Sequence, residues 1–231
     1  MFKKDLLQKI SVDAKAALLA LRELSDEDYK VSSLRFKIPK GGNLGVSHPK
    51  IKALAKEIGK DHKRALELWD MNFRGTRLLA IFTEELPAFS SDQADSWVSE
   101  IHSWELADAI NDLVAKKDFA SEKIFEWAKD DREFVRRTAF STICVRALKR
   151  INASDGELVS YLPLIKNCST DSRNFVKKAV NWALRHIGKK NTYLNEKAII
   201  PARELAVSEN KTAKWIGKDA IRELEKFTLR T

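Results

Sequence analysis

Two segments of this chain are copies of one another, and that limits its architecture more than any other feature. Residues 131–150 (DREFVRRTAFSTICVRALKR) and 171–190 (DSRNFVKKAVNWALRHIGKK) align without gaps at an offset of 41, which sets 131–149 against 172–190. Phe134 falls on Phe175, Val135 on Val176 and Arg137 on Lys178, while Leu148 against Lys189 is a mismatch. A weaker third copy, residues 214–224 (KWIGKDAIREL), sets Trp215 and Lys218 at nearly the same interval. Self-similarity at about 40 residues marks stacked helix pairs, each unable to bury its apolar side alone.

Helical periodicity runs through nearly all of the chain, and no segment alternates like a strand. It predicts helices near 3–24, 47–58, 61–71, 73–86, 92–101, 103–115, 119–129, 133–150, 156–167, 172–187, 194–207 and 211–227. Eight glycines and five prolines in 231 residues are too few for the turns of a sandwich or barrel. The expected fold is therefore all-α: a right-handed α-solenoid of HEAT-like helical repeats, C-shaped with a basic concave face. It is read as one domain over 1–231, with 1–46 capping the N-terminal end. Ser154 and Glu157 read as a reciprocal capping box, and Ser47 as a capping hydroxyl ahead of Pro49. Segment 34–46 (LRFKIPKGGNLGV) breaks the pattern; with no preceding strand and no GK[ST] after it, it reads as a connector rather than a phosphate loop.

A hydrophobic share of 44% with 32% charged residues describes a globular chain, not a disordered one. Lysine and arginine number 42 against 33 acids, a formal charge of +9 that favours polyanionic partners, nucleic acid before membrane. The two cysteines, Cys144 and Cys168, and four scattered histidines, His48, His62, His102 and His186, form no metal-ligand motif. No metal or cofactor is expected, and the cysteines read as free thiols. The charged N-terminal segment does not read as a signal peptide, and no apolar run approaches a membrane span. A cytoplasmic monomer is the expectation.

Three groups of residues stand out. Lys178, Trp182, Arg185 and Lys189 lie at i, i+4, i+7 and i+11, one helical face, in a stretch from Arg173 to Lys190 that contains no acid. Cations flanking an indole suit a polyanion with a sugar or base; the alternative is Trp182 in the core beside solvated lysines. Trp104 and Asp108 share a face one turn apart, an arrangement that suits a cationic species. The alternative is Trp104 as packing and Asp108 as an ordinary surface acid. Arg137 sits at the margin of the stripe Phe134, Val135, Ala139, Phe140, Ile143 and Ala147, where it could fork onto a phosphate or pair with a nearby acid. Trp69, Trp97 and Trp127 occupy apolar helical positions and read as core.

Taken in order, LGVSHPKIKALAKEI (44–58), ELWDMNFRGTRLLA (67–80), SWELAD (103–108), FVRRTAF (134–140) and NFVKKAVNWALR (174–185) resemble the bacterial DNA alkylation repair glycosylases of the AlkD type. The resemblance covers most of the chain. It implies an active-site tryptophan and essential aspartate at Trp104 and Asp108, a DNA-binding arginine at Arg137 and a second active-site tryptophan at Trp182. Lys178, Arg185 and Lys189 would assist in DNA binding. Phe36, after Arg35, stands where the family pattern has a tyrosine.

The implied activity is excision of cationic N3- or N7-alkylated purines from double-stranded DNA, without rotation of the base into a pocket. Two other functions compete. One is a non-catalytic DNA-binding relative that prefers branched or distorted DNA; the other is a helical-repeat scaffold for an acidic protein.

Overall fold

The computed structural model describes residues 12–36, 42–148 and 151–228, and they are all-helical, with no strand among them. They form two compact units, residues 1–94 and 95–231, whose boundary falls inside one helix.

In the first unit, α1 (Val12–Glu23) is followed by α2 (Glu27–Ser32), the 3-10 turn Ser33–Phe36, α3 (His48–Ile58), α4 (His62–Asp70) and α5 (Arg74–Thr83). Helix α5 is the centre, packed by α1, α3 and α4, and Leu78, Leu79 and Ala80 on it are wholly buried. Its arginines are buried with partners. Arg74 donates to the Val46 carbonyl at 2.7 Å, and the Arg77 guanidinium lies 4.5 Å from the Trp69 ring centroid. Within the 34–46 connector, residues 42–46 are tied down locally: the Asp26 amide donates to the Gly45 carbonyl, and Asn43 Nδ2 to Ser33 Oγ. Gly45 has φ +75°, and a Cβ there would stand 2.5 Å from the Asp26 oxygen, so no other residue fits.

Helix α6 (Ser91–Ser99) spans the boundary. The second unit continues with α7 (Trp104–Val114), α8 (Ala120–Trp127), α9 (Glu133–Arg146), α10 (Asp155–Ser160), α11 (Leu162–Asn167), α12 (Asn174–Gly188), α13 (Thr192–Ala206) and α14 (Lys211–Thr228). Helices α7, α9, α12 and α14 pack each on the next. A second layer of α8, α10 with α11, and α13 covers their other side. The two sequence copies are α9 and α12, and their equivalent residues Phe134 and Phe175 meet, ring centroids 5.4 Å apart. Buried Thr138, Ser141 and Thr142 on α9 return their hydroxyl protons to carbonyls one turn back, so they are buried without losing hydrogen bonds. Trp69, Trp97 and Trp127 are buried as their spacing predicts.

Several local expectations change. The predicted helix 156–167 is two short ones meeting at Tyr161, because Pro163 has no N–H to continue the ladder. Helix α2 was not expected; Asp26 starts it by accepting from the Tyr29 amide at 2.8 Å. The capping box at Ser154 is half formed. Ser154 Oγ accepts from the Glu157 amide, but the Glu157 carboxylate turns to Arg146 and Tyr161. Ser47 stands at the N-cap of α3 without a side-chain capping bond.

Candidate functional site

Ser103 starts α7 by accepting from the Leu106 amide at 3.3 Å. That places Trp104 in the first turn and Asp108 one turn further on the same side, both half-buried. Arg137, in the second turn of α9, is nearly sealed from solvent. Its Nε donates to Asp108 Oδ1 at 3.1 Å and its Nη2 to Oδ2 at 2.8 Å, a parallel two-bond clasp. Nη1 donates to the Phe175 carbonyl at 2.8 Å, and the guanidinium lies 5.9 Å from the Phe175 ring centroid. Three helices, α7, α9 and α12, therefore meet at one guanidinium.

Burial pushes the Asp108 carboxyl above its ordinary value; the charge and hydrogen bonds of Arg137 and the Ser141 hydroxyl pull it down, and Glu105 raises it. The Asp108 side chain keeps 25% of its surface exposed against 8% for Arg137. The carboxylate is thus the reachable half of the pair and the guanidinium its support. Cys144, beneath this region, is fully buried, and burial holds its thiol well above the usual range. Both cysteines are free.

The cationic strip of α12 makes a second group. Lys178 is exposed and Trp182 half-buried, its ring meeting His186 edge-on at 5.2 Å. Burial, with Lys189 and Arg185 adding repulsion, pushes His186 down to about 4. Arg185 and Lys189 reach acids on α14: Arg185 Nη1 lies 3.4 Å from Asp219 Oδ2, and Lys189 Nζ 3.3 Å from Glu223 Oε2. Asn181 also donates to Asp219, at 2.7 Å. The strip is therefore partly neutralised by a helix that the sequence reading had not set against it. Phe36 ends the 3-10 turn of the other unit, and its side chain lies outside the described residues.

Sequence reasoning missed Phe175, Glu105, Asp219 and Glu223. For Phe175 a signal existed in its match to Phe134, since equivalent positions of stacked repeats tend to touch. Glu105 is 95% buried beside Asp108, and nothing local in WELAD distinguishes it from a surface acid. Among the described residues no group of His, Cys, Asp and Glu is arranged to hold a metal ion, and no helix is long and apolar enough to cross a membrane.

The stacked helix pairs are those of a HEAT-like repeat protein. A solved structure of that fold superposes with a TM-score of 0.75 at 22% identity, covering 91% of this chain and 95% of its own. It is described as a new family of proteins related to the HEAT-like repeat DNA glycosylases with affinity for branched DNA structures. The chain belongs to the DNA alkylation repair enzyme family, whose model matches residues 17–224. A designed armadillo repeat protein aligns over 77% of this chain and 94% of its own at 12% identity, with a TM-score of 0.36 that is too low to bear on the fold. No curated protein sequence matches significantly.

Proposed function

We propose that this protein is a DNA glycosylase that removes cationic N3- or N7-alkylated purines from duplex DNA by hydrolysis. The observation that carries the reading is the Asp108 carboxylate, held in register by Arg137 and partly open to solvent, one turn from Trp104. Alkylation makes the base positive, so the bonding pair of the N-glycosidic bond leaves with the purine and neutralises it. Positive charge then develops at C1′ of the sugar. An ionised Asp108 stabilises that charge and orients a water, which adds at C1′ and releases its proton to solvent through the carboxylate. The indole faces of Trp104 and Trp182 add cation–π stabilisation of about 1–2 kcal/mol each where water is excluded. Arg137 acts here chiefly as a positioning residue, because three of its donors are already engaged by Asp108 and Phe175. Lys178, Arg185 and Lys189 hold backbone phosphates. Because the carboxylate lies on an open seam, the lesion need not be rotated into a pocket, and bulky adducts are tolerated.

A second reading is a non-catalytic binder of branched DNA, as the structural neighbour is described. It is favoured by the closure of the clasp, in which both Asp108 oxygens accept from Arg137. The deciding experiment is release of 7-methylguanine and 3-methyladenine from methylated duplex DNA by the wild type beside Asp108→Asn. Release by the wild type alone supports the glycosylase. Absence of release by either, with salt-sensitive DNA binding retained, replaces it with the binder. Equal release by both overturns the role given to Asp108.

A further inference from the structure

The outward side of α14 repeats the pattern of α12. Lys178, Trp182, Arg185 and Lys189 stand at i, i+4, i+7 and i+11 on α12; Lys211, Trp215, Lys218 and Arg222 stand at the same spacings on α14. Ala213, Ile216, Ala220 and Leu224 are the buried stripe of α14, so the cationic strip is turned away from the core. Lys211, Lys218 and Arg222 are exposed, and Trp215 shows 41% of its surface. No other tryptophan is so bare: Trp69, Trp97 and Trp127 are buried, and Trp104 and Trp182 half-buried. Lys177 of α12 holds its Nζ 5.2 Å from the Trp215 ring centroid. Asp219 reaches Asn181 and Arg185 of α12 and also pairs with Arg222 of the strip itself, while Glu223 meets Lys189 of α12.

We infer that Trp215 is a stacking platform for an unpaired base on a DNA strand that leaves the duplex, with Lys177, Lys211, Lys218 and Arg222 holding the phosphates on either side. Bases inside a duplex have both faces covered and offer only their edges, whereas an unpaired base presents the face that an open indole takes. Interleaved ammonium groups are what the adjoining phosphates need. The inference rests on nucleic acid as the partner in the proposed function, and it is independent of the chemistry at Asp108.

The test is fluorescence anisotropy of the full chain with a blunt duplex and with the same duplex carrying a single-stranded arm. The wild type binds the armed duplex about tenfold more tightly. Trp215→Ala removes that preference, and Trp215→Phe, which keeps a stacking ring, retains most of it. A wild type without preference, an alanine variant that keeps it, or one that weakens both DNAs equally overturns the inference. Loss of purine release from blunt methylated duplex would instead strike the glycosylase reading and leave the arm preference standing.

Discussion

Arg137 clasps Asp108 through two N–H groups while its third engaged nitrogen donates to the Phe175 carbonyl, so one side chain fixes the carboxylate against two copies of the repeat. Breaking a largely buried pair leaves the surviving charge without its partner. The clasp therefore governs both the position of Asp108 and the pH at which it is ionised.

Excision should fall on acidification with a midpoint above the ordinary aspartate value of 3.8, because burial raises the Asp108 carboxyl. Arg137→Gln removes the two largest opposing effects, so the acid limb should move to still higher pH. The sign for stability is the reverse of that for an acid whose value is lowered on folding, because burial outweighs the Arg137 pairing here. A proton bound more tightly in the folded state stabilises it below the ordinary value, and this contribution is lost as pH rises through the raised one. Single-turnover rates across pH for both proteins check the shift; an unchanged limb in Arg137→Gln would contradict it.

His186 should make the protein less stable as pH falls from 6.5 towards 4. Its folded value is pushed down to about 4, so in this window the unfolded chain binds the proton and the folded one does not. His186→Asn should flatten the dependence. Urea midpoints at the two ends of the window measure it, and parallel curves for wild type and variant would exclude the effect.

Two glycines should respond oppositely to alanine. At Gly217 a Cβ would stand 2.2 Å from the Ala206 nitrogen and 2.6 Å from the Ala202 oxygen, backbone atoms of α13 that cannot step aside. Gly217→Ala should cost about 1–3 kcal/mol or more, as overpacking does. Gly156, at the start of α10, has only Ser154 Oγ at 3.9 Å, and alanine there should stabilise by about 0.4–1 kcal/mol. Thermal melts of the pair suffice to compare them.

DNA affinity should report the neutralised strip of α12. Lys178→Gln should lower the slope of log affinity against log salt by about 0.9, one phosphate contact. Asp219→Asn should raise affinity, because Asp219 competes with phosphate for Arg185. Titrations at several salt concentrations check both; weaker binding by Asp219→Asn would show that the acid supports Arg185 rather than masking it.

Most helices were legible because their signals are local. Ser103, Asp155 and Lys211 begin helices within a residue or two of where the periodicity placed them, and Trp69, Trp97 and Trp127 fall on the apolar stripe of their own helices. The site was legible residue by residue but not as an arrangement. Asp108 and Arg137 both stand out in the sequence, and Arg137 reads there as forking onto a phosphate or pairing with a nearby acid; that the acid is Asp108, 29 residues away, is not written locally. The split at Pro163 is available in principle, since a proline seven residues after the start of the short stretch 156–167 interrupts its ladder.

Helical content, the repeat interval and the cations around an indole on one face of α12 are all written in local sequence. Hydrophobic period and capping chemistry act within a turn or two, and they leave their marks on neighbouring residues. Which charges meet is set by the packing of helices distant in sequence. Asp108 and Arg137 are 29 residues apart, and Arg185 and Asp219 lie on different helices. Their pairing depends on the register in which stacked helices pack, set by contacts such as Phe134 with Phe175 and the close approach at Gly217. A change of one residue in that register would turn each partner away, and no local pattern records it.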